Sequence, residues 1–392
     1  MSLSSQIYHL NKMENYVAKT FLGLEGVLAE ELNALGAQNI ETINRAVSFD
    51  CDLPTLYKAN MSLRSCVRIL HPLGVERVRN QDQLYNFAKQ INWLRWFTPE
   101  QTFAVYAVVN NAQAFNNNLF VALKVKDAIA DQFRQIKGAR PNIDKANPDV
   151  GIHVHIYGEQ CTLSIDCSGG SLHRRGYRTG GHAAPLNEVL AAGMVLLSGW
   201  DKNSPFVDFM CGSGTLVTEA GLLASNKAPN VGREVFGFHH WKNFDQELFE
   251  QTRQELLDAE IEWEHWIYGS DIEPRAISEA RVNITNATVD DVVRLSIIDF
   301  KDRPVPAGEP GTIIINPPYG ERLKSDELNL LYKRIGDTLK QNYAGYTAWI
   351  LSSNSEATKC VGLKATKRLV LYNGALECRF LKYELYKGRK EE

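Results

Sequence analysis

The segment Asn316-Pro317-Pro318-Tyr319, which follows the apolar run Thr312–Ile315, has the residue types needed to methylate a planar nitrogen. The exocyclic amine of a nucleobase is a poor nucleophile because its lone pair is delocalised into the ring. The side-chain oxygen of Asn316 and the carbonyl of Pro317 can accept its two N–H bonds and direct the lone pair toward a methyl group, while Tyr319 stacks on the ring. Pro317 and Pro318 donate no N–H and stiffen the loop. A strand that ends in an ordinary proline turn is the alternative interpretation.

A glycine-containing loop lies about a hundred residues upstream, between an apolar strand that starts at Phe206 and a helical stretch. Glycines let a ligand approach the backbone closely, and the helix N-terminus offers free N–H donors. Val217 stands where a dinucleotide-binding fingerprint needs its third glycine, so this is not a nicotinamide site. The candidate cofactor-binding residues of the loop are Asp208, Cys211, Gly212, Ser213, Gly214 and Thr215.

Two further strands end in carboxylates. Asp271, with Ile272 beside it, follows the strand 266–270 and can accept hydrogen bonds from both hydroxyls of a ribose. Asp299 follows the strand 292–298 and can accept a hydrogen bond from an adenine amino group, with the aromatic face of Phe300 next to it. Four successive strand ends therefore carry a glycine loop, a ribose acid, an adenine acid and an amine-accepting tetrapeptide. Such a series favours a nucleoside cofactor that carries a methyl group.

Four segments together resemble one family: residues 171–178 (SLHRRGYR), 184–188 (APLNE), 208–215 and 316–323. They are similar to the THUMP-containing large-subunit ribosomal RNA guanine-N2 methyltransferases, a class I family, and the resemblance covers nearly the whole chain. It implies the cofactor S-adenosylmethionine and transfer of its methyl group to an exocyclic base nitrogen, guanine N2 of 23S ribosomal RNA. The implied partner is 23S ribosomal RNA or a large-subunit assembly intermediate. In this family the segment around Asn187 borders the methionine end of the cofactor, which makes Asn187 a further cofactor candidate.

Composition limits the alternatives. With 392 residues, 44% of them hydrophobic and 23% charged, the chain is expected to form two or three globular domains. No apolar run approaches the ~20 residues of a membrane helix, and the seven cysteines form no C-x-x-C pair. We therefore expect a cytoplasmic protein without membrane or metal binding, although His153 and His155 alternate in a strand. Because the net charge is −3, contact with RNA must be local.

The fold class expected is α/β in three domains. Residues 1–75 show a βαββαβ pattern typical of a ferredoxin-like domain. Residues 76–168 look like a THUMP RNA-binding domain of the α+β type. Residues 169–392 alternate strands and helices, which predicts a mostly parallel, Rossmann-like sheet. Asn373-Gly374 predicts a final hairpin, and the resemblance implies the antiparallel last strand of a class I methyltransferase.

Two sets of side chains are RNA-binding candidates. One lies on the predicted helix 119–136 and its exit loop, where Asp127 and Asp131 dilute the positive charge and a merely solvated face is the alternative. The other lies in the link before the third domain, where guanidinium groups and an aromatic ring suit phosphate binding and base stacking, and a surface linker is the alternative. The first set is Lys124, Lys126, Arg134, Lys137 and Arg140, and the second is Arg174, Arg175, Tyr177 and Arg178.

Three alternative functions fit the same sequence. Adenine N6 and guanine N2 present similar amines to the same acceptors, so a DNA adenine-N6 methyltransferase is one alternative. A protein glutamine-N5 methyltransferase and a non-catalytic RNA-binding assembly factor are the others. The aromatic cluster that opens at Phe236 in the long insertion 226–265 is expected to pack in a core, with a role in lining the substrate cleft as the alternative.

Overall fold

A computed structural model describes residues 12–178, 186–318 and 324–386. Within these ranges the chain forms two sheets, an N-terminal one of eight strands and a C-terminal one of seven. Along the described residues, no helix is both long and apolar enough to cross a membrane.

The N-terminal sheet has the strand order β2-β3-β1-β4-β8-β7-β5-β6. Its first half is β1-α1-β2-β3-α2-β4, so the ferredoxin-like pattern is confirmed. The strands are β1 (Glu14–Lys19), β2 (Gln38–Ile43), β3 (Ala46–Cys51), β4 (Arg68–Arg77), β5 (Thr102–Asn110), β6 (Asn142–Ile143), β7 (Val150–Tyr157) and β8 (Gln160–Asp166). The helices are α1 (Glu25–Ala34), α2 (Leu53–Ser62), α3 (Gln81–Gln90) and α4 (Asn118–Lys137).

Strand β4 belongs to both halves of this sheet. It pairs antiparallel with β1 through Arg68, Ile69 and Leu70, and antiparallel with β8 along most of its length. The boundary placed at residues 75 and 76 therefore falls inside a single strand. One face of the sheet packs against helices, with Phe103 and Phe133 in the shared core. The other face carries exposed side chains such as Tyr106 and Tyr157.

The C-terminal sheet has the order β11-β10-β9-β12-β13-β15-β14. β15 pairs antiparallel with both β13 and β14, whereas β9 to β13 pair in parallel, so the antiparallel last strand is confirmed. The strands are β9 (Phe206–Asp208), β10 (Ile267–Asp271), β11 (Val293–Ile297), β12 (Thr312–Ile315), β13 (Thr347–Ser352), β14 (Lys367–Asn373) and β15 (Leu376–Glu384). The helices are α5 (Glu188–Ser198), α6 (Thr215–Ala224), α7 (Gln246–Asp258), α8 (Pro274–Asn286), α9 (Ser325–Asn342) and α10 (Ser355–Lys359).

The central strands of this sheet are apolar because helices cover both of their faces. Ile313, Ile314 and Ile315 of β12 are fully buried. The chain leaves β9 toward β10 on one side and later returns to β12 on the other, so the order reverses at β9. In open α/β sheets the crevice at such a reversal lies outside the carboxyl ends of the strands and is where ligands bind.

The long insertion between α6 and β10 joins the two parts of the molecule. Phe236, Phe238 and Trp241 are buried in the same core as the N-terminal sheet, and α7 packs against α2. The expectation that these aromatics form a core is thus confirmed. The backbone N–H of Asn230 also donates to the carbonyl of Met61 at the end of α2, at 2.9 Å.

Candidate active site

The carboxyl ends of β9, β10 and β12 are neighbours because β9 pairs with both of the others. Asp208 ends β9, Asp271 ends β10, and Asn316 follows β12 directly. The first two are linked through the glycine loop, since the N–H of Gly212 donates to Asp271 Oδ2 at 2.9 Å. The structure therefore brings these predicted residues to one edge of the sheet.

Helix α8 contacts one side of the glycine loop and leaves the other side open. Gly214 has φ +81°, and a Cβ there would lie 2.9 Å from the Cβ of Ala280 on α8, so glycine is required for this contact. Gly212 has φ +53° with no atom near the Cβ position, which leaves the backbone surface open to a ligand. Asn283, which sequence reasoning missed, donates from Nδ2 to the carbonyl of Ser213 at 2.9 Å. The loop is thus fixed by α8 and exposed on its other side.

Asp271 supports the glycine loop and can still accept further hydrogen bonds. Its Oδ2 accepts from Gly212 and its Oδ1 from the N–H of Glu273 at 3.0 Å. Each carboxylate oxygen has a further lone pair, so two hydroxyl groups can still donate to this side chain. The adjacent Ile272 is 61% exposed and offers an apolar surface beside the carboxylate.

Asp208 is buried beneath the loop and accepts a hydrogen bond from the N–H of Met210 at 3.1 Å. Burial, and then the nearby Asp271 carboxylate, raise the pKa of Asp208 to about 8, against the opposing effects of the Met210 hydrogen bond and Arg303. Burial therefore favours the protonated, neutral form of this carboxyl group. The buried Arg303, whose side chain packs over the Tyr268 ring, is a second residue that the sequence did not reveal as part of this site.

The third strand end differs from expectation at Phe300. Its ring is 6% exposed and stacks on Phe209 with ring centroids 5.5 Å apart, so it is not a free face for adenine. This prediction is corrected: the ring belongs to the core under the sheet edge. Asp299 is half-buried, and it accepts from the N–H of Lys301 at 3.1 Å and from Arg334 at 2.9 Å.

Asn316 carries an unpaired acceptor. Its Oδ1 atom is buried and has no hydrogen-bond partner among the residues that the structure describes. Buried polar atoms are nearly always paired in native proteins, and an unpaired one calls for an explanation such as a missing ligand. Pro317 is buried and Pro318 half-buried, while Tyr319 lies outside the described residues.

Asn187 and Cys211 have structural roles. The Asn187 side chain caps α5, accepting from the N–H groups of Val189 and Leu190. Cys211 is buried, and its backbone N–H donates to the carbonyl of Ser270 at 2.9 Å. Thr215 is the first residue of α6.

Two of the predicted RNA-binding residues of the link are buried, which corrects that prediction. The Tyr177 hydroxyl donates to Glu219 at 3.0 Å, and the Arg175 guanidinium donates to the carbonyls of Leu172 and Arg64. Both side chains are drawn inside because α6 presents the buried carboxylate of Glu219. They therefore join domains and cannot contact RNA.

The other two link residues differ from these. Arg174 is exposed. Arg178 pairs with Glu188 at 2.8 Å and donates to Thr215 Oγ1 and to the carbonyl of Leu186, each at 2.6 Å. It thus fixes the start of α6 next to the glycine loop.

Four of the five basic candidates on and after α4, all except Lys137, line a groove of about 510 Å³. Lys126 and Arg134 pair with Asp127 and Asp131 on the same helix. Lys124 and Arg140 line the groove together with Tyr85. Lys137 is exposed at the end of the helix. A role of these side chains in binding RNA stays a prediction.

The sheet order, the open glycine loop and the strand-end carboxylates together define a class I S-adenosylmethionine-dependent methyltransferase. The site fits this cofactor, because backbone N–H groups, acceptor oxygens and an apolar side chain meet at one edge. The models of known families agree. The RMKL-like methyltransferase domain matches residues 175–382, the THUMP domain 78–166 and the RlmL ferredoxin-like domain 15–70. The chain belongs to the RMKL-like methyltransferase family.

Curated relatives support this assignment. A Synechocystis protein provisionally named an RNA methyltransferase is 39% identical over 95% of this chain and 97% of its own length. The ribosomal RNA large subunit methyltransferase K/L of Aliivibrio salmonicida is 40% identical over 97% of this chain but only 55% of its own length. The chain thus spans about half the length of the K/L relatives that it matches.

Solved structures show the same architecture. The protein SMU.472, provisionally described as a methyltransferase and solved with S-adenosylhomocysteine, has a TM-score of 0.87 at 30% identity, covering 97% of this chain and all of that one. A Listeria monocytogenes protein described as a predicted N6-adenine-specific DNA methylase has a TM-score of 0.87 at 29% identity, covering 98% of this chain and 99% of that one. The cofactor of this protein is accordingly S-adenosylmethionine.

Proposed function

We propose that this protein transfers a methyl group from S-adenosylmethionine to guanine N2 in 23S ribosomal RNA. The observation that carries the chemistry is the buried Oδ1 of Asn316 after β12, which has no hydrogen-bond partner among the described residues. An exocyclic amine has two N–H bonds, and one of them would satisfy this acceptor. Leaving a buried acceptor unsatisfied costs about 1–3 kcal/mol, so the free protein keeps a group that a substrate amine completes.

The residues of the site act mainly by positioning. The sulfonium of the cofactor makes its methyl carbon electrophilic, and the protein holds the amine in line with it. Asn316 Oδ1 and the Pro317 carbonyl accept the two N–H bonds, which turns the nitrogen lone pair toward the methyl group. Gly212 and Asp271 would hold the nucleoside part of the cofactor. The bound sulfonium would supply the methyl group and leave as a neutral thioether, and the methylated nitrogen would lose its extra proton to water.

The choice of RNA rests on the rest of the chain. A THUMP domain model matches residues 78–166, and the K/L relatives are named for ribosomal RNA of the large subunit. Guanine N2 rather than adenine N6 follows from the family that the sequence motifs resemble. The Listeria relative carries a DNA adenine description, so the base and the polymer are what an experiment must decide.

The decisive experiment compares ribosomal RNA from a strain lacking this protein with RNA from the same strain carrying it again, by nucleoside mass spectrometry. We expect one N2-methylguanosine of the large-subunit RNA to vanish and return. The complementing gene should also be tested as an Asn316→Ala variant, which we expect to restore none of it. Loss of N6-methyladenosine from DNA, or of methylglutamine from protein, would overturn the proposal in favour of those substrates.

A further inference from the structure

The strand register of the N-terminal sheet aligns side chains in rows across its open face. Tyr106 of β5 lies opposite His153 of β7, and Val108 lies opposite His155. His155 in turn lies opposite Thr162 of β8, which faces Val75 of β4. Because alternate residues of a strand point to the same side, these rows lie on the face opposite to the one that packs against the described helices.

This face carries large apolar and aromatic side chains that no described residue covers. Tyr106, Val108, Tyr157 and Val75 are 40%, 51%, 58% and 53% exposed. The Tyr106 ring packs on His153 with centroids 5.2 Å apart and an angle of 32° between the planes. Contiguous exposed apolar surface on a folded protein marks a site of interaction.

Positive charge borders the same face near the link. Lys19 of β1 lies opposite Arg68 of β4, and Arg68 pairs with the buried Asp166 of β8. Leu172 of the link is hydrogen-bonded to Val67, which places Arg174 near Arg68. Neither Lys19 nor Arg174 has an ion-pair partner within residues 12–178, 186–318 and 324–386.

The pKa shifts are consistent with this grouping of cations. The pKa of Arg233 is lowered first by burial and then by the charges of Arg68 and Arg174. The pKa of His155 is likewise lowered by burial and then by Lys19. These cations are therefore close enough for their fields to add, and a local concentration of positive charge attracts a polyanion.

We infer that this open face binds a single strand of RNA next to the methylated nucleotide, with bases stacked on Tyr106 and Tyr157 and phosphates near Lys19 and Arg174. This rests on the proposed function and specifies which surface holds the substrate. Aromatic side chains beside cations suit single-stranded nucleic acid, because every base has a face to stack while phosphates follow the positive charge. A second copy of this chain fits less well, since two such patches repel each other.

The position of the face suits a substrate that continues to the active site. The link leaves β8, passes Arg174 and reaches Arg178, which holds the start of α6 beside the glycine loop. The α4 groove lies on the helical side of the sheet and is a different surface. If RNA binds the open face, substitutions there should weaken binding and substitutions on α4 should not. If RNA binds the α4 groove, the reverse is expected.

The test uses the full-length protein and a fluorescein-labelled twelve-nucleotide oligouridylate, with a duplex of the same length for comparison. Binding is measured by fluorescence anisotropy at one fixed salt concentration. The Tyr106→Ala/Tyr157→Ala variant should bind the single strand about tenfold or more weakly, since stacking is worth about 1–3 kcal/mol per base. A matched control is Leu119→Ala/Phe120→Ala on α4, where both residues are also exposed. Its affinity should stay within twofold of that of the unmodified protein.

Several results separate the possibilities. Equal affinity of the Tyr106→Ala/Tyr157→Ala variant would overturn the inference, as would a loss confined to the α4 control. A concentration-dependent dimer that this variant abolishes, seen by analytical ultracentrifugation, would assign the face to a second copy and overturn it as well. With large-subunit RNA as substrate, the variant should raise KM and leave kcat within twofold. If the unmodified protein methylates no RNA, the proposed function fails whatever the anisotropy shows.

The charges provide a second, independent measurement. Arg174→Ala removes an exposed cation without touching the core. We expect it to lower the slope of log Kd against log salt concentration by about 0.7, the value for one phosphate contact on a single strand. A matched control is Lys301→Ala, an exposed cation beside Asp302. An unchanged slope for Arg174→Ala would contradict the phosphate contact.

Discussion

At the scale of single residues, the active site is built around polar groups that the fold leaves incomplete. Asn316 Oδ1 lacks a partner among the described residues, and both Asp271 oxygens keep lone pairs after supporting the loop. Stability alone would favour pairing such atoms within the protein. Because these atoms can accept further hydrogen bonds, this sheet edge can bind a nucleoside cofactor and an amine.

Replacement of Asn316 should separate catalysis from cofactor binding. Asn316→Ala removes the acceptor that orients the amine, so turnover should fall by about a hundredfold, while the Kd for S-adenosylmethionine stays within about twofold. Asn316→Asp keeps an acceptor oxygen and should retain more turnover than the alanine variant. Single-turnover kinetics and calorimetry measure the two quantities. Turnover equal to that of the unmodified enzyme would exclude Asn316 from the mechanism.

Asp208 should make stability depend on pH. Its pKa of about 8 in the folded protein lies above the value of about 3.9 in an unfolded chain. Between these values the folded state holds a proton that the unfolded chain has lost, so the free energy of unfolding falls as pH rises from about 4 to 8. Asp208→Asn should flatten this dependence by one kcal/mol or more, measured by urea denaturation at both ends of the window. Parallel pH profiles would contradict a buried, protonated carboxyl group.

Much of this edge could be predicted from sequence because polar residues that directly follow an apolar strand must lie at its end. The order of Asp208, Asp271 and Asn316 along the chain therefore placed them together once a parallel sheet was predicted. Burial could not be predicted in the same way. Phe300 and Tyr177 look like exposed aromatics in the sequence, and only the packing of Phe209 and the carboxylate of Glu219 show why they turn inward.

At the scale of elements, strand positions followed well from local patterns. The predicted bounds of β12 are those observed, and the Asn373-Gly374 turn joins β14 to β15 with Gly374 at φ +64°. The double pairing of β4 was not predictable, because hydrophobic alternation shows which face of a strand is buried and not which strands lie at its edges. The open face of the N-terminal sheet was missed for the same reason.

Replacing Gly336 in α9 by alanine should destabilise the protein, although alanine has the higher helix propensity. Glycine in a helix usually destabilises by about 0.5–1 kcal/mol relative to alanine. A Cβ at Gly336, however, would collide with the carbonyl oxygen of Val361, so Gly336→Ala should destabilise the protein. Gly26→Ala in the first turn of α1 is the control, because no atom lies near its Cβ position, and it should leave the stability unchanged or raise it slightly. Urea denaturation of both variants checks the signs, and stabilisation by Gly336→Ala would refute the close approach of α9 to Val361.

At the scale of the whole molecule, a buried charged cluster joins the N-terminal part to the methyltransferase part. Arg64, just after α2, donates to the carbonyl of Leu222 in α6 and to that of Lys227, which follows α6. Arg175 of the link donates to the Arg64 carbonyl, and its Nε lies 3.7 Å from Glu219 on α6. The surface that we assign to RNA and the cofactor site are therefore held in a fixed relation through this cluster.

Glu219 is the residue on which this joint depends. It is fully buried, and burial raises its pKa against the opposing effect of Arg175. Glu219→Leu would leave the Tyr177 hydroxyl without its acceptor and would remove the carboxylate that lies 3.7 Å from the Arg175 guanidinium. Breaking a buried pair in this way typically costs about 3–5 kcal/mol. Glu255→Leu is the matched control, since the exposed pair of Glu255 with Lys58 also joins the two parts, and exposed pairs contribute about 0–1 kcal/mol.

The readout should distinguish loss of the joint from general damage. In urea, the unmodified protein should unfold in one transition. Glu219→Leu should unfold in two transitions, one for the N-terminal part and one for the methyltransferase part, and limited proteolysis of this variant should cut the link. Because the cofactor site itself is intact in this variant, S-adenosylmethionine should still protect the methyltransferase part, while the KM for large-subunit RNA rises. A single transition with a loss below about 1 kcal/mol, equal to that of Glu255→Leu, would show that the two parts are held together by apolar packing and not by this cluster.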